Sequence, residues 1–269
     1  MSEVERHTGE VEGLPVGWRS APFEGTPALY LHGVPNSSLM WTPFLEATGG
    51  LALDLPGFGA SVKAGTFPYS IAGFDGFIER FLDWRGIDSV KLVMHDFGAS
   101  GLAFAQRAPE RIESIVLIDA LPLFEGHEWH RLERIWRTPV LGELWMGCIS
   151  QRLLRRALRD WNAAPLPERD LRATYVELDF GTQRAVLRLL RSVRPRTLAA
   201  AGARLSEIEA PALIVWGERD PVNAVAAAER YASALGGESE TMLLEDAGHW
   251  PWLDSGAVLP AVAGFLARS

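Results

Sequence analysis

An aspartate follows a short apolar run, where its carboxylate would face a cleft. The run Val90 to Met94 has the length and composition of a buried parallel strand, and His95-Asp96-Phe97-Gly98 follows it directly. Many hydrolases carry a serine at such a turn between strand and helix, and that serine forms acyl esters. An aspartate forms an alkyl ester instead, because its carboxylate attacks saturated carbon. Asp96 is therefore predicted to be a nucleophile for electrophilic sp³ carbon, as in epoxides and alkyl halides.

Asp96 also has a second interpretation, since an aspartate after a strand often caps the next helix. The neighbouring residues favour the nucleophile, because Gly98, Gly101 and the small residues between them let a helix begin close against the sheet. The carboxylate then lies near the positive end of that helix. Met94 stands where the usual serine motif has its first glycine, which indicates a particular subset of these enzymes.

Two further polar residues follow predicted strands downstream of Asp96. Asp220 lies in Gly-Glu-Arg-Asp-Pro after the strand Ala212 to Trp216, and His249 lies in Asp-Ala-Gly-His-Trp after the strand Glu240 to Leu244. The order nucleophile, acid, base along the chain is that of hydrolases with a nucleophile elbow. We predict that His249 is the general base and that Asp220 orients it.

The segment His32-Gly33-Val34-Pro35 follows another predicted strand. Gly33 permits a close approach of the backbone, and Pro35 stiffens the loop. The amides of Val34 and Phe97 are then predicted to form an oxyanion hole. The alternative is an ordinary Gly-Pro turn. His32 is expected to hold the loop by hydrogen bonds rather than to exchange protons.

Strand-like and helix-like runs alternate along most of the chain. This alternation predicts an α/β fold with a mostly parallel sheet covered by helices on both faces, and ligands bind beyond the carboxyl ends of such strands. The predicted strands are Ala28 to Leu31, Gly50 to Leu53, Val90 to Met94, Ser114 to Ile118, Ala212 to Trp216 and Glu240 to Leu244. The predicted core helices are Ile71 to Arg85, Gly101 to Ala108, Ala224 to Ala234 and Val258 to Ala267.

The stretch 123–200 differs from its flanks. It has 14 Arg, no Lys and nine Asp and Glu, a net charge of +5 in a chain of net charge −8. It also shows helical patterns without a convincing strand, so we predict a helical cap at 123–200 inserted into a core formed by 1–122 and 201–269. Its arginines are expected to lie on a solvated helical surface rather than to bind an anionic substrate. The cap helices are predicted at Trp129 to Trp136, Gln151 to Trp161, Asp170 to Phe180 and Thr182 to Val193.

Composition narrows the function classes. The single cysteine, Cys148, excludes an intrachain disulfide and a thiolate metal cage. The net charge of −8 argues against a general nucleic-acid binder. No run of eighteen apolar residues indicates a membrane span, and the polar stretch Met1 to Gly13 lacks the apolar region of a leader peptide. A cytoplasmic location is the expectation.

The chain resembles the α/β-hydrolase superfamily over essentially its whole length. More narrowly, it resembles the Asp-nucleophile branch that contains epoxide hydrolases and haloalkane dehalogenases. The resemblance implies an α/β-hydrolase fold with an inserted helical cap, and no metal or organic cofactor. The residues that carry it are His32-Gly33-Val34-Pro35, Asn36-Ser37-Ser38, Trp41, Asp54-Leu55-Pro56-Gly57-Phe58-Gly59-Ala60-Ser61, His95-Asp96, Asp220 and His249.

The resemblance also offers a second triad acid. Asp119 ends the predicted strand Ser114 to Ile118, and some hydrolases with an Asp nucleophile take the acidic partner of the histidine from that position. We place Asp220 first, because its loop is the commoner acid site. Asp119 is then a structural residue or a reserve orienter.

The leaving group distinguishes the two activities of this branch. Haloalkane dehalogenases hold the halide with a Trp directly after the nucleophile, together with an Asn in the His-Gly-x-Pro loop or a Trp of the cap. Here Phe97 and Val34 occupy the first two positions, and neither side chain donates a hydrogen bond. A cap tryptophan would have to supply the donor, and the candidates are Trp129, Trp136, Trp145 and Trp161.

Epoxide hydrolases donate to the opening oxygen from cap tyrosines, usually two. Tyr175 is the one tyrosine of the predicted cap, and His127 or His130 would be the second donor unless both are surface histidines. The sequence Gly-His-Trp around His249 also resembles epoxide hydrolases. The balance favours an epoxide substrate.

We therefore predict an epoxide hydrolase that opens an epoxide to a vicinal diol. Asp96 attacks the less hindered carbon while Tyr175 donates to the oxygen, and water activated by His249 then hydrolyses the ester on Asp96. The predicted partners are water and a small apolar epoxide or other alkyl electrophile. Candidate pocket residues are His32, Trp129, His130 and Trp250, although aromatic residues at helical spacing are more often core.

Three alternatives stay open at this point. The first is a haloalkane dehalogenase with the same triad, the second a cofactor-free oxygenase or luciferase, and the third a ligand receptor without activity. The sequence leaves substrate size, enantiopreference and the choice between monomer and homodimer undecided. The arginine-rich, lysine-free stretch fits a GC-rich bacterial source.

Overall fold

One sheet of eight strands organises the fold in the computed structural model, which describes residues 3–269. The order across the sheet is β1-β2-β4-β3-β5-β6-β7-β8. β2 pairs antiparallel with β1 and β4, and all pairs from β4 to β8 are parallel. This confirms the predicted α/β class and mostly parallel sheet. The strands are β1 Glu5–Val11, β2 Leu14–Ala21, β3 Ala28–Leu31, β4 Gly50–Leu53, β5 Val90–Asp96, β6 Ile112–Ala120, β7 Ala212–Gly217 and β8 Ser239–Leu244.

Twelve α-helices accompany these strands within the described range. None of them is long and apolar enough to cross a membrane. The helices are α1 Thr42–Thr48, α2 Ile71–Arg85, α3 Gly101–Arg107, α4 Arg131–Arg137, α5 Leu141–Gly147, α6 Gln151–Ala157, α7 Glu168–Glu177, α8 Phe180–Ser192, α9 Pro195–Ala201, α10 Ala226–Ala234, α11 Pro251–Asp254 and α12 Val258–Arg268.

Helix α2 shows how local sequence sets these elements. Ser70 caps its N-terminus by accepting from the Gly73 amide at 3.1 Å, and Gly86 ends it in the left-handed conformation at φ 66°. Phe74, Phe77, Ile78 and Phe81 lie on one face, and all four are fully buried. Burial of each such side chain contributes about 1.5–3 kcal/mol, so this face anchors α2 on the sheet.

The antiparallel pair β1 and β2 is absent from the predicted strands. β1 lies at the sheet edge and buries only Val11 completely, so it lacks the apolar run by which the other strands are recognised. In β2, Pro15 and Gly17 further weaken the strand pattern. The sequence rule used for buried parallel strands therefore fails for this edge.

The stretch between β6 and β7 contains α4 to α9 and no strand. Four helices were predicted there, and the structure adds α5 and α9. The predicted helix Gln151 to Trp161 ends at Ala157, and Trp161 instead lies in a loop. The division into a core and a cap at 123–200 stays a prediction.

Asp54 joins the two loops that follow β3 and β4. Its carboxylate is 1% exposed and accepts from the backbone amides of Ser38 at 2.8 Å and Ala60 at 2.9 Å. Hydrogen bonds to a charged group contribute about 1.5–3 kcal/mol each. This carboxylate therefore holds the loop that begins at His32 against the rest of the sheet edge.

We predict that Asp54→Ala lowers the free energy of unfolding by about 2–5 kcal/mol, because two buried amides lose their acceptor. Equilibrium urea unfolding measures this change. The matched control is Glu240→Ala, which removes an exposed ion pair with Arg268 and is expected to stay within about 0.5 kcal/mol of the parent. Equal losses for both variants would contradict the role of Asp54.

Candidate active site

Asp96 is the last residue of β5 and has φ 47° and ψ −121°. A residue with a side chain rarely adopts a positive φ, and such strain costs about 1–3 kcal/mol. The turn after it, Phe97–Ser100, leads directly into α3. A Cβ on Gly98 would lie 2.1 Å from the Leu31 carbonyl oxygen, so only glycine lets the turn pack this closely on β3. The predicted strand, sharp turn and helix are all present.

The loop after β3 holds one oxygen of Asp96. The Val34 amide donates to Asp96 Oδ2 at 2.8 Å. Gly33 permits this approach, because a Cβ there would lie 2.4 Å from the Asp96 Cβ. Burial raises the pKa of Asp96, and the charge of His249 and the amides of Val34 and Phe97 oppose that shift. The two amides of the predicted oxyanion hole thus both act on the Asp96 carboxylate.

Asn223 is a site residue that the sequence analysis missed. Its fully buried side chain donates from Nδ2 to the Asp119 carbonyl oxygen at 2.8 Å and approaches Asp96 Oδ1 at 3.4 Å. The amide group thereby links the end of β6 to the nucleophile. Asn223 lies three residues after Asp220, and only that proximity could have indicated it.

His249 and Asp220 form a buried pair. His249 Nδ1 lies 2.9 Å from Asp220 Oδ2, and both side chains are inaccessible to solvent. Burial lowers the pKa of His249, but the charge and hydrogen bond of Asp220, together with the charge of Asp96, outweigh it and raise the pKa. His249 Nε2 has no hydrogen-bond partner among the described residues. With its Nδ1–H donated to Asp220, the imidazole has Nε2 free to accept a proton.

Asp119 lies beside this pair. Its Oδ1 accepts from the Gly217 amide at 3.1 Å, and its Oδ2 has no partner among the hydrogen bonds of residues 3–269. Burial and the charge of Asp220 raise the pKa of Asp119 well above its ordinary value. The Asp119 carboxyl therefore holds its proton more tightly than an ordinary aspartate, whereas the charge of Asp220 acts on His249.

Two residues fix the backbone of the histidine. His95 Nε2 contacts the His249 carbonyl oxygen at 2.8 Å, and the Trp161 carbonyl accepts from the His249 amide at 2.6 Å. The Trp161 ring stands edge-on to the His249 ring, with centroids 5.1 Å apart. Gly248 allows this contact, since a Cβ there would lie 2.3 Å from the Trp161 oxygen. A loop between β6 and β7 thus touches the histidine directly.

His32 lies behind the loop rather than in a cavity. Its Nδ1 donates to the Gly33 carbonyl at 2.8 Å, and its Nε2 accepts from the Leu55 amide at 3.0 Å. Burial lowers the pKa of His32 to about 4, so the ring is neutral near pH 7. Both ring nitrogens are occupied by backbone groups, as expected for a residue that holds the loop.

A cavity of about 340 Å³ is lined by Trp250, the residue after His249, and by Asn36 of the loop after β3, whereas Asp96, Asp220 and His249 do not line it. Of the predicted pocket residues, Trp250 lines it, whereas His32, Trp129 and His130 do not. Tyr175 is partly buried against the core on α7; it does not line the cavity, and its hydroxyl makes no hydrogen bond to another described residue. The lining includes Asn36, Ser37, Met40, Thr174, Trp250 and Trp252.

The segment that leads into α4 lies over the nucleophile turn. Trp129 stacks on Phe97 with ring centroids 6.4 Å apart, and His127 stands edge-on to Trp129 at 4.5 Å. Burial and the charge of Arg137 lower the pKa of His127 to about 4. His130 caps α4, and burial lowers its pKa as well. Both histidines are therefore neutral near pH 7.

The second residue missed from the sequence is Glu133 of α4. Its side chain is buried, and Oε2 accepts from the His130 amide at 2.9 Å. A glutamate three residues after a cap is an ordinary capping signal, so nothing in the sequence distinguished it. The described residues contain no group of three His, Cys, Asp or Glu side chains placed to hold a metal ion.

Comparison with known proteins adds to this geometry. A family model for the alpha/beta hydrolase fold matches residues 26–255. The chain belongs to the alpha/beta hydrolase family. The match spans β3 to α11 and includes Asp96, Asp220 and His249.

Several members of the alpha/beta hydrolase family with assigned names are similar in sequence. A haloalkane dehalogenase of Bradyrhizobium diazoefficiens is 28% identical over 271 aligned positions, covering 87% of this chain and 84% of that protein. A haloalkane dehalogenase of Agrobacterium fabrum is 29% identical, and the match spans only 51% of its length. A 2-hydroxy-6-oxononadienedioate/2-hydroxy-6-oxononatrienedioate hydrolase of Klebsiella pneumoniae is 29% identical over 89% of this chain and 86% of that enzyme. These names support a hydrolase activity for this chain, but the relatives are named for different substrates.

Solved structures show the same fold. Haloalkane dehalogenase DbeA from Bradyrhizobium elkani aligns with a TM-score of 0.84 and 24% identity, covering 99% of this chain and 98% of that chain. This likeness confirms the predicted α/β-hydrolase fold.

We predict that Asp220, and not Asp119, controls the titration of His249. Asp220→Asn removes the charge that raises the His249 pKa, so the pKa falls below that of the wild type. Asp119 is not among the groups that raise the His249 pKa, so Asp119→Asn is expected to leave that pKa elevated. NMR titration of the His249 ring measures both shifts.

Asp246→Asn is the control for the two variants. Asp246 lies in the same loop as His249 and pairs with Arg219 at the surface. It is expected to leave the His249 titration unchanged. A drop in the His249 pKa with Asp119→Asn instead of Asp220→Asn would show that the acid has been assigned to the wrong aspartate.

Proposed function

We propose that this chain is an epoxide hydrolase that works through an ester on Asp96. The observation that carries the proposal is a carboxylate at a strained elbow, held at Oδ2 by the Val34 amide, with His249 as the available base. A carboxylate in that position attacks saturated carbon and becomes the acyl part of an ester. The product is a vicinal diol.

The hydrogen bonds of Asp96 divide its two oxygens between two roles. Oδ2 receives the Val34 amide at 2.8 Å, whereas Asn223 Nδ2 approaches Oδ1 at the longer distance of 3.4 Å. We assign Oδ1 to the attack on carbon, since it is the less engaged oxygen. Oδ2 then becomes the carbonyl oxygen of the ester and stays at the Val34 amide.

Hydrolysis of the ester uses His249. Nε2 of His249 removes a proton from water, and the resulting hydroxide attacks the Asp96 carbonyl carbon. Negative charge develops on Oδ2, where the amides of Val34 and Phe97 stabilise it, at about 2.7–4 kcal/mol per donor in comparable sites. The diol leaves, and Asp96 keeps one oxygen from water.

The surroundings of the nucleophile favour an epoxide over a halide. The side chains of Phe97 and Val34 are buried, apolar and without a hydrogen-bond donor for a departing halide. An opening epoxide needs a proton on its oxygen, because an alkoxide is a strong base. Tyr175 stays the donor predicted from the sequence.

A haloalkane dehalogenase is the second candidate. It is favoured by the relatives of that name and by Trp161, whose buried indole N–H has no partner among the described residues. The Trp161 ring lies 5.1 Å from the His249 ring, so an indole donor is present close to the base. A halide leaves without a proton, and the two candidates therefore differ in their first step.

We predict that His249→Gln traps the ester on Asp96, because the second step loses its base. Incubation with styrene oxide should add the mass of the intact epoxide, and wild type should release the diol. Intact-mass spectrometry and product analysis measure both results. An alkyl adduct from 1-bromobutane with no epoxide adduct would make this chain a dehalogenase.

The matched control for the trap is the double variant Asp96→Asn with His249→Gln. It keeps the size of the side chain and removes the nucleophilic carboxylate, so no adduct is expected. An adduct that persists in the double variant would place the ester on another residue and contradict the role of Asp96.

A further inference from the structure

Glu133 is a buried acid that the mechanism above does not use. The residue is 4% exposed, although it lies in the first turn of a helix in which Arg131 and Arg134 are exposed. Oε2 accepts from the His130 amide at 2.9 Å, and Oε1 accepts no hydrogen bond from another described residue. A capping glutamate uses one oxygen only, so the second oxygen of Glu133 is left for another role.

Residues next to the first turn of α4 contact both the nucleophile turn and the loop beside the base. Trp129, just before α4, stacks on Phe97, which is the residue directly after Asp96. His130 stands edge-on to Trp161 at 5.8 Å, and Trp161 in turn contacts the His249 ring. The first turn of α4 is thus held between the elbow and the base.

The environment of Glu133 favours its protonated form. Burial raises its pKa well above the ordinary value, and the charges of Asp96 and then Asp220 raise it further. The His130 amide and the charge of Arg137 oppose the shift without cancelling it. Among the charged groups that act on Glu133, Asp96 is the strongest, as expected if the two carboxyl groups face the same space.

We propose that Glu133 is the acid that protonates the epoxide oxygen. This inference rests on the proposed function. As Asp96 Oδ1 forms a bond to the epoxide carbon, the carbon–oxygen bond breaks and its electron pair takes the Glu133 proton. The result is a hydroxyalkyl ester on Asp96 and a carboxylate on Glu133. When the ester is hydrolysed, one proton of the water passes to the departing diol oxygen, and the other, taken by His249, returns to Glu133. The balance is one epoxide and one water to one diol.

The proposal gives Glu133 the role predicted for Tyr175. Glu133 is buried in the first turn of α4, four residues after Trp129, which stacks on Phe97, whereas Tyr175 lies on α7 and its hydroxyl makes no hydrogen bond to another described residue. A neutral carboxylic acid also protonates an alkoxide far more readily than a phenol does, because its pKa is lower. A halide needs no such proton, so Glu133 also separates the two substrate classes.

The test compares alkylation rates in the His249→Gln background, where each ester accumulates and the first step is observed alone. Glu133→Gln is the informative variant, because glutamine keeps the capping acceptor and lacks the proton. We expect it to slow ester formation from styrene oxide by about 10²–10⁴-fold. Ester formation from any reactive alkyl bromide, such as 1-bromobutane, should change by less than a few-fold.

Two controls accompany this variant. Glu128→Gln changes an exposed glutamate five residues earlier and should leave the epoxide rate unchanged. Tyr175→Phe tests the other candidate donor: slowing of the epoxide reaction by this variant and not by Glu133→Gln would overturn the proposal. The rate should also fall as pH rises through the pKa of Glu133, because the acid must be protonated, and this dependence should disappear in Glu133→Gln.

The results of this experiment distinguish the role of Glu133 from the proposed epoxide hydrolase activity. An epoxide ester that forms equally fast with Glu133→Gln would overturn the role of Glu133 and leave the epoxide hydrolase intact. Equal slowing with both electrophiles would show a structural role only and would also overturn it. Failure of the parent His249→Gln to form any epoxide ester would overturn the proposed function together with this inference.

Discussion

The hydrogen bond from the Val34 amide to Asp96 Oδ2 is the interaction on which the rest of the site depends. A buried carboxylate is costly unless backbone or charged groups compensate it, and burial alone raises its pKa. Several features serve this one contact: the positive φ of Asp96, the missing side chain at Gly33, and the Asp54 carboxylate that ties the following loop. In our proposal, the same amide also stabilises the negative charge on Oδ2 when the ester is hydrolysed. One backbone group thus holds the resting carboxylate and takes part in catalysis.

Four buried acidic side chains in this region are not equivalent. Asp96 accepts from the Val34 amide and Asp220 pairs with His249, whereas burial and neighbouring charges raise the pKa values of Asp119 and Glu133 well above the ordinary range. Environments that push the pKa values of neighbouring carboxyl groups apart are how one site holds both a base and an acid at the same pH. In our proposals, Asp96 is the nucleophile and Glu133 the acid for this reason.

The sequence predicted the core of the fold well, because that core rests on local patterns. β3, β4 and α2 have the predicted bounds, since each is a compact apolar run or a helix with clear end signals. Asn223 and Glu133 were not predicted from the sequence, because their importance comes from burial against distant chain segments. For the same reason, Asp119 and Asp220 could not be ranked by physics until their partners were known. Tyr175 was chosen by its type alone, and side-chain type does not fix position.

A single turnover in H₂¹⁸O tests the central claim most directly, namely that water attacks an ester on Asp96 rather than the substrate. With enzyme in excess over styrene oxide, ¹⁸O should enter the enzyme while the diol stays unlabelled. Tryptic peptide 92–107, prepared in ordinary water, locates the label, because Asp96 is its only carboxyl side chain. An unlabelled peptide together with ¹⁸O in the diol would contradict the account and show direct attack of water on the substrate.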